Sequence, residues 1–316
     1  MRVAVVVPCR DGRRWLPGLL ASLREQTRAA DRVLVVDDAS GDGSADVARA
    51  EGAEVVELAR NVGFAAAANR GIAAAADVDA VALVNTDVVL APDWLARTVR
   101  RLEPDVAAVA TKMVALHDPA LLDDCGDVLR RDGVCEQRGH GRRDTGAYDE
   151  PGDVFAACAG AALYRRQAVL DAGGFEESFF AYLEDVDLGL RLRTAGWRCA
   201  YEPAVARHAG QGSSAALHRP VGRLIARNTL LLVARHFPAR WAGPVAYRQA
   251  AWLWHAARGG RLGDHAGGLA DALPLLPGAL RARRDLRAAG RVRVEDVVPD
   301  LPWRGPRAGG HPSNLR

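Results

Sequence analysis

The sequence predicts an α/β fold, a mostly parallel sheet flanked by helices with a helical appendage behind it. Three features point to the sheet and its appendage. Through the first 110 residues, apolar runs of strand length alternate with stretches whose apolar positions recur at helical spacing, the pattern of β-α-β crossovers onto a parallel sheet. The runs are continuously apolar, as in strands covered on both faces. Past residue 212 strand-like runs stop and only helical periodicity continues.

Residues 3–7 form the first expected strand, and Trp15, Leu16, Leu19, Leu20 and Leu23 then share one helical face. A second strand over 33–36, a helix over 44–50, a third strand over 55–58 and an alanine-rich helix over 64–76 follow. The run over 81–84 is a fourth strand that delivers Asn85, Thr86 and Asp87 to its C-terminal edge, where ligands bind in open α/β sheets. Pro92 opens a helix through Leu102, because its fixed φ suits a first helical turn, and 106–110 is a further strand. Residues 111–153 are polar, glycine-rich and poorly periodic, so loops and short antiparallel strands flanking a site are expected there. A second block over 155–210 holds a helix over 166–172, a Gly173-Gly174 break, an acidic helix from Glu184 with Leu188, Leu192 and Ala195 on its buried stripe, and a strand around 199–201. Its first-turn carboxylates are expected to face a rim. Helices over 217–236 and 245–258 come next, then a proline- and arginine-rich stretch expected to run loose after Arg291.

A chain of 316 residues that is 49% hydrophobic can bury a large core. Its net charge of +3 hides an asymmetry: up to residue 204 there are 24 basic and 33 acidic side chains, and beyond it 18 and 6, hence −9 and +12. An acidic front half argues against nucleic acid, which needs a basic face over the functional cleft. The basic C-terminal part suits anionic lipid headgroups, a polyanionic glycan or simply solvent. Lys112 is the one lysine among 42 basic residues, which reflects GC-rich codon usage. Five cysteines with no C-x-x-C pair indicate neither a disulfide framework nor a zinc cage. The opening MRVAVVVP is too short in its apolar run for a signal peptide, and no stretch reaches the roughly 18–20 apolar residues of a membrane span. A cytoplasmic protein is expected, with peripheral contact at the inner face of the membrane through the basic helices, and homo-oligomerisation, left open.

Two acidic clusters carry most of the chemistry: Asn85-Thr86-Asp87 and Glu184-Asp185-Val186-Asp187. The first suits a metal-diphosphate site and the second a catalytic base, although a charged helix N-terminus stabilised by the dipole would look the same. The loop PCRDG after the first strand is followed by no G-x-G-x-x-G, so a dinucleotide-binding dehydrogenase lacks its phosphate turn. Asp37 and Asp38 end the second strand and can accept hydrogen bonds from a base or ribose, or act as turn residues. Arg60 and Asn61 precede a Gly63 turn, with Asn69 further along the helix. Gly160 and Ala161 make a small-residue passage where backbone could approach a sugar or pack tightly.

VVVPCRDG, VLVVDDASGDGS, RNVGFAAAANRG, ALVNTDV, AGAALYRR, GGFEESFFAYLEDVDLGLRLRTAGW, RHAGQGSS and RNTLLLVARHFP stand in that order. Together they resemble the inverting glycosyltransferases of family 2, in particular the bacterial rhamnosyltransferase-like branch, over roughly residues 3–237. The resemblance implies a GT-A catalytic domain over 1–212, its donor half about 1–110 and its acceptor half about 111–212, with a helical region over 213–291 and a loose tail over 292–316. It places Pro8, Arg10, Asp11, Asp37, Asp38, Arg60, Asn61, Gly63, Asn69, Asn85 and Thr86 around a nucleotide-sugar donor. Gly160, Ala161 and Glu184 fall on the acceptor side. Asp87, with His208 as second ligand, would hold Mg²⁺ or Mn²⁺. Two departures mark the chain: Cys9, Arg10 and Asp11 stand where an aromatic residue and an asparagine are frequent, and Asn85-Thr86-Asp87 replaces two aspartates flanking one residue.

Breaking a glycosyl phosphoester leaves concentrated negative charge on the diphosphate, which a hard cation on oxygen ligands neutralises. An acceptor hydroxyl needs a carboxylate to take its proton, an effect worth ~10²–10⁴ in rate, and Asp185 fits that role, with Glu184 orienting the acceptor and Asp187 capping the helix. The function implied is transfer of a sugar, with rhamnose from dTDP-rhamnose favoured, to a cell-surface acceptor, either a glycan or a lipid-linked glycan. The alternatives are a catalytically silent nucleotide-sugar-binding subunit and a sugar nucleotidyltransferase.

Overall fold

The computed structural model describes residues 1–210 and 220–301. Seven elements alternate at the start: β1 (Val3–Cys9), α1 (Leu16–Arg24), β2 (Arg32–Asp37), α2 (Ser44–Ala50), β3 (Glu54–Glu57), α3 (Phe64–Ala74) and β4 (Ala80–Val84). Next come β5 (Val88–Leu90), α4 (Trp94–Arg101), β6 (Val106–Ala115), β7 (Leu122–Asp124), β8 (Asp127–Leu129), β9 (Cys135–Gln137) and β10 (Gly152–Asp153). The sheet region closes with β11 (Ala161–Arg165), α5 (Arg166–Asp171), α6 (Glu184–Thr194) and β12 (Arg198–His208). Helices α7 (Val221–His236), α8 (Ala242–Arg258), α9 (Leu262–Ala272), α10 (Leu276–Ala289) and α11 (Val294–Val297) follow.

The main sheet runs β10-β12-β6-β11-β4-β1-β2-β3, with β5 added to β12 and β7 to β6. β4, β1, β2 and β3 are mutually parallel, β12 is parallel to β6, and β11 sits antiparallel between β6 and β4. Successive β1 side chains point to opposite faces: Val3, Val5 and Val7 join a core with Leu16, Leu19 and Trp94, while Ala4 and Val6 join one with Ala67, Ile72 and Leu188. This two-sided burial explains the continuous apolar runs. The alanines and Gly71 of α3 let that helix lie close on the sheet, since a Cβ at Gly71 would stand 2.2 Å from a Val6 methyl.

The sheet holds more than its sequence announces. β11 is a central strand, although AALYR is too short and small-residued to signal one. β12 spans eleven residues instead of the three expected around 199–201, interrupted by a register shift between Glu202 and Val205. Pro203 lies at that shift, and a proline has no N–H to give the ladder.

A third core joins α6, the β8 strand and the C-terminal helices through Leu129, Phe179, Val186, Leu231, Trp241 and Ala272, among others. The stretch over 259–291 contains α9 and α10, and the chain past Arg291 does not run loose: α11 forms, Val298 is fully buried and its carbonyl accepts from Arg131 Nε at 3.3 Å. That corrects the expected tail for residues 292–301; residues 302–316, and residues 211–219 with the end of the RHAGQGSS motif and the 212/213 boundary, lie outside the described residues. The five cysteines are all free. No described helix is long and apolar enough to cross a membrane.

Candidate active site

At the C-terminal edge of β1 and β2, two loops are tied to one another. Arg10 Nη1 donates to the carbonyls of Asp38, at 2.6 Å, and Ala39, while Arg10 Nε lies 3.3 Å from Asp11 Oδ2. Asp11 Oδ1 accepts from Gly41 N at 2.8 Å. Asp11 and Ala39 both hold positive φ, at 48° and 56°, conformations that persist for non-glycine residues only where neighbours fix them. Arg10 and Asp11 therefore serve as struts between loops. Asp38 accepts from Val62 N at 2.7 Å and Gly63 N at 2.9 Å and so closes the 61–63 turn onto β2. Asp37 differs: Oδ2 accepts from Ser40 N at 3.1 Å, but Oδ1 is buried with no hydrogen-bond partner among the described residues. That leaves one acceptor free beside the cleft.

Pro8 pairs with Val36 inside the sheet, Asn61 Oδ1 accepts from Gly63 N at 3.1 Å, and Arg60 is exposed. Gly63 has φ +86° and a Cβ there would lie 2.4 Å from the Phe180 ring, so only glycine lets the donor-side turn meet the segment before α6. Asn69 is a correction to the expected donor set. Its Oδ1 accepts from Phe175 N at 2.8 Å and its Nδ2 donates to Phe175 O at 2.8 Å, so both ends of the amide staple backbone.

Asp87 leaves β4 through a short turn, and β5 then pairs antiparallel with β12 in the register His208↔Val88. This pairing brings His208 Nε2 to 3.4 Å from Asp87 Oδ1, while His208 Nδ1 lies 2.6 Å from Asp123 Oδ2. Burial alone would lower the His208 imidazolium, but Asp123 and Asp87 pull it up to about 10. An imidazole nitrogen and a carboxylate oxygen at this spacing, the carboxylate buried and the ring partly exposed, fit two ligands of one divalent cation, which on binding would take the place of the Nε2 proton. No three His, Cys, Asp or Glu side chains among the described residues close into a cation cage, so other ligand positions would fall to phosphate oxygens and water. Asn85 and Thr86 are packed: Asn85 N donates to Gly160 O at 2.8 Å, and a Cβ at Gly12 would touch the buried Thr86 at 3.0 Å.

Gly160 and Ala161 belong to sheet packing. Ala161 is buried and pairs with Val84, and its carbonyl accepts from Thr111 Oγ1 at 2.7 Å. Ala161 is thus corrected from a sugar-facing residue to a core one.

Across the cleft, Glu184 and Asp185 open α6 after an unusual approach: Phe180, Tyr182 and Leu183 all have positive φ, at 64°, 70° and 65°. Two side chains of α7 hold this segment: the buried amide of Asn228 donates to Phe179 O at 3.0 Å, Ala181 O at 2.8 Å and Tyr182 O at 2.7 Å, and Arg227 Nη2 donates to Phe179 O at 2.5 Å and Ser178 O at 3.3 Å. Arg227 Nε donates to Asn228 Oδ1 at 2.9 Å and so fixes which end of the amide faces the loop. Asp185 Oδ2 accepts from Ala159 N at 3.2 Å and Oδ1 from Val186 N at 2.8 Å. Burial raises its carboxyl above the usual range. Glu184 is only 5% exposed, with Oε2 unpartnered among the described residues, and burial followed by repulsion from Asp185 pushes it well up. Burial also raises Asp124 to about 7 and Asp127 well above its ordinary value. Within this group Asp185 accepts from two backbone N–H groups, which favour its ionised form against the effect of burial.

The expected rim exposure is corrected for Glu184 and Asp187, which are buried, while Asp185 is half-buried; the capping role of Asp187 is corrected too. Asp187 is fully buried and binds Arg191 Nε at 2.8 Å, Arg235 Nε at 2.9 Å and His236 Nε2 at 2.7 Å, which locks α6 to α7. Asp123, Asp124, Asp127 and Asn228 joined the site without a sequence-level reason for choosing them. The acidic run in LLDDCGD is the signal that the sequence offers for the three aspartates, in a stretch expected to form loops and short antiparallel strands flanking a site.

A family model described as glycosyl transferase family 2 matches residues 4–172. The chain is 33% identical over 209 residues to the pre-mycofactocin glycosyltransferase of Mycobacterium tuberculosis, covering 64% of this chain and 41% of that one. It is 36% identical over 89 residues to the N-acetylglucosaminyl-diphospho-decaprenol L-rhamnosyltransferase of the same organism, 27% of this chain and 28% of that one. The chain therefore spans less than half the length of these curated relatives. Among solved structures it resembles a mannosyltransferase from Pyrobaculum calidifontis in complex with GDP-Man and Mn²⁺, with a TM-score of 0.55 and 20% identity over 91% of this chain and 85% of that one.

Proposed function

The chain belongs to glycosyl transferase family 2 and has the GT-A fold, and from that premise we propose that it is an inverting, metal-dependent sugar transferase using a nucleotide-sugar donor. The observation that carries the reading is the meeting of Asp87 and His208 at 3.4 Å where β5 pairs with β12. Asp37 Oδ1, buried and unpartnered, offers an acceptor for an N–H or hydroxyl of the nucleoside. Asp87 and His208 would hold the divalent cation, which supplies neutralisation of the charge on the departing diphosphate. Asp185 takes the proton of the acceptor hydroxyl as its oxygen bonds to the anomeric carbon. The bond from that carbon to the phosphate oxygen breaks on the opposite face, and its electron pair leaves with the nucleoside diphosphate. One displacement inverts the centre, so no enzyme nucleophile is needed.

Rhamnose from dTDP-rhamnose is the favoured donor, supported by the partial similarity to a rhamnosyltransferase. The favoured acceptor is a lipid-linked glycan, supported by the outer face of α8: Trp254 is 67% exposed, Tyr247 lies two turns before it, and the Arg258 guanidinium stands 5.9 Å from the Trp254 ring. Aromatic and basic side chains on one face suit an anionic membrane surface. A panel of nucleotide sugars tested for thermal stabilisation with Mn²⁺ decides the donor, because a ligand that binds the folded state raises the melting temperature with its concentration. Stabilisation by dTDP-rhamnose that chelator abolishes is expected; no stabilisation by any nucleotide sugar would defeat the transferase reading.

A further inference from the structure

We infer that Asp123 is a positioning residue that fixes the ring of His208 and thereby sets how tightly the Asp87–His208 pair holds a divalent cation. The inference rests on the metal reading of that pair. Its ground is the way the chain places Asp123. In the antiparallel pairing of β7 with β6, Asp124 faces Met113 and Leu122 faces Val114, neighbours on β6, so Asp123 is the extra residue of a bulge. Bulges free one residue from the ladder and re-aim its side chain. Here the freed carboxylate reaches across to β12, the strand beside β6, and its Oδ2 lies 2.6 Å from His208 Nδ1.

The ring of His208 is held from both sides. With Nδ1 on Asp123, Nε2 faces Asp87 at 3.4 Å, and a half-turn of the ring would put carbon atoms against both carboxylates. A carboxylate accepting Nδ1–H leaves the Nε2 lone pair for a cation, the arrangement in which an outer carboxylate orients a metal-binding histidine. Asp123 is itself anchored: His140 Nδ1 lies 2.8 Å from its carbonyl oxygen and 3.4 Å from its Oδ1. The chain of contacts runs His140, Asp123, His208, Asp87, and only the last two need touch the ion.

The test is Mn²⁺ binding to the full chain, by calorimetry, alone and with dTDP, for the parent and the variants Asp87→Ala, Asp123→Asn, Asp123→Leu and His140→Gln. Melting temperature without metal reports folding separately. Asp123→Asn should weaken Mn²⁺ binding roughly 10- to 100-fold and Asp123→Leu at least as much, with His140→Gln smaller in effect. In the parent with Mg²⁺, ¹⁵N resonances should show His208 protonated on Nδ1. If Asp87→Ala loses Mn²⁺ while both Asp123 variants bind within threefold of the parent, the inference falls and the metal site stands. If the parent binds no Mn²⁺ with or without dTDP, both fall. Should every Asp123 variant fail to fold, the tautomer of the parent still decides, and a proton on Nε2 in the Mg²⁺-loaded protein overturns the inference.

Discussion

The side-chain amide of Asn228 lies 2.7 Å from the carbonyl oxygen of Tyr182, a residue at φ +70° just before Glu184 and Asp185. Helix α7 thus reaches into the approach to the proposed base and satisfies carbonyls that the left-handed backbone turns away from any ladder.

Replacing Asn228 tests that hold. Asn228→Leu removes the Asn228 donor from the carbonyls of Ala181 and Tyr182, while Phe179 O keeps Arg227 Nη2, and each unmet buried group costs about 1–3 kcal/mol. We expect a loss of roughly 2–4 kcal/mol in urea denaturation, and a larger one for Asn228→Asp, which presents an acceptor to acceptors. Unchanged stability in Asn228→Asp would show that the loop holds itself.

The cluster around Asp187 predicts acid sensitivity. Burial would raise its carboxyl, but Arg191, His236 and Arg235 together hold it far below the usual range, while burial lowers His236 against the pull of Asp187. Both folded values lie below the unfolded ones, so the stability they contribute is full above pH ~6.5 and is lost as pH falls, first through His236 and then below pH ~4 through Asp187. Asp187→Asn should cost about 3–5 kcal/mol at pH 7, and the gap to the parent should close in acid. A gap to the parent that stays constant as pH falls from about 4 to about 2 would contradict this.

Asp185→Asn keeps shape and most hydrogen bonding but cannot take a proton. Turnover should fall at least ~10²-fold with donor affinity nearly unchanged, since a general base acts in the transition state. Because burial raises the Asp185 carboxyl and only its ionised form works, the parent should lose activity on the acid side at a pH above the ordinary carboxylate range. Activity of Asp185→Asn within a few-fold of the parent, with Glu184→Gln inactive, would move the base to Glu184.

On α8, Trp254→Ala together with Arg258→Glu should weaken sedimentation with vesicles containing anionic lipid at low salt, where attraction is least screened. Melting temperature should hold, because both side chains are exposed. Equal sedimentation of parent and variant would remove this face from the membrane.

What the sequence revealed was what local pattern encodes. Helix α2 begins and ends at the expected residues, and β1, β2 and β4 fall within one or two, because parallel strands covered on both faces need unbroken apolar runs. β11 escaped because its place between β6 and β4 depends on partners some 50 and 80 positions away. Asn69 shows the converse: a polar residue in an alanine-rich helix looks like a ligand, yet its amide completes the backbone of Phe175. Asp123 is invisible without the bulge that aims it. Asn228 lies in a helix legible from its leucines, but which carbonyls it meets is a fact of packing alone.

The lock between α6 and α7 also bears on how short a piece of this chain keeps the approach to the base in place. The family model ends at residue 172, before Asp185, and a polypeptide cut near 212 would keep Asp187 while losing Arg235, His236 and Asn228. A buried carboxylate would be left with Arg191 as its sole counter-charge, and the segment leading to the base would lose its donor. Any fragment prepared for crystallisation or assay must therefore extend past His236, and the homologous segment by itself should prove insoluble.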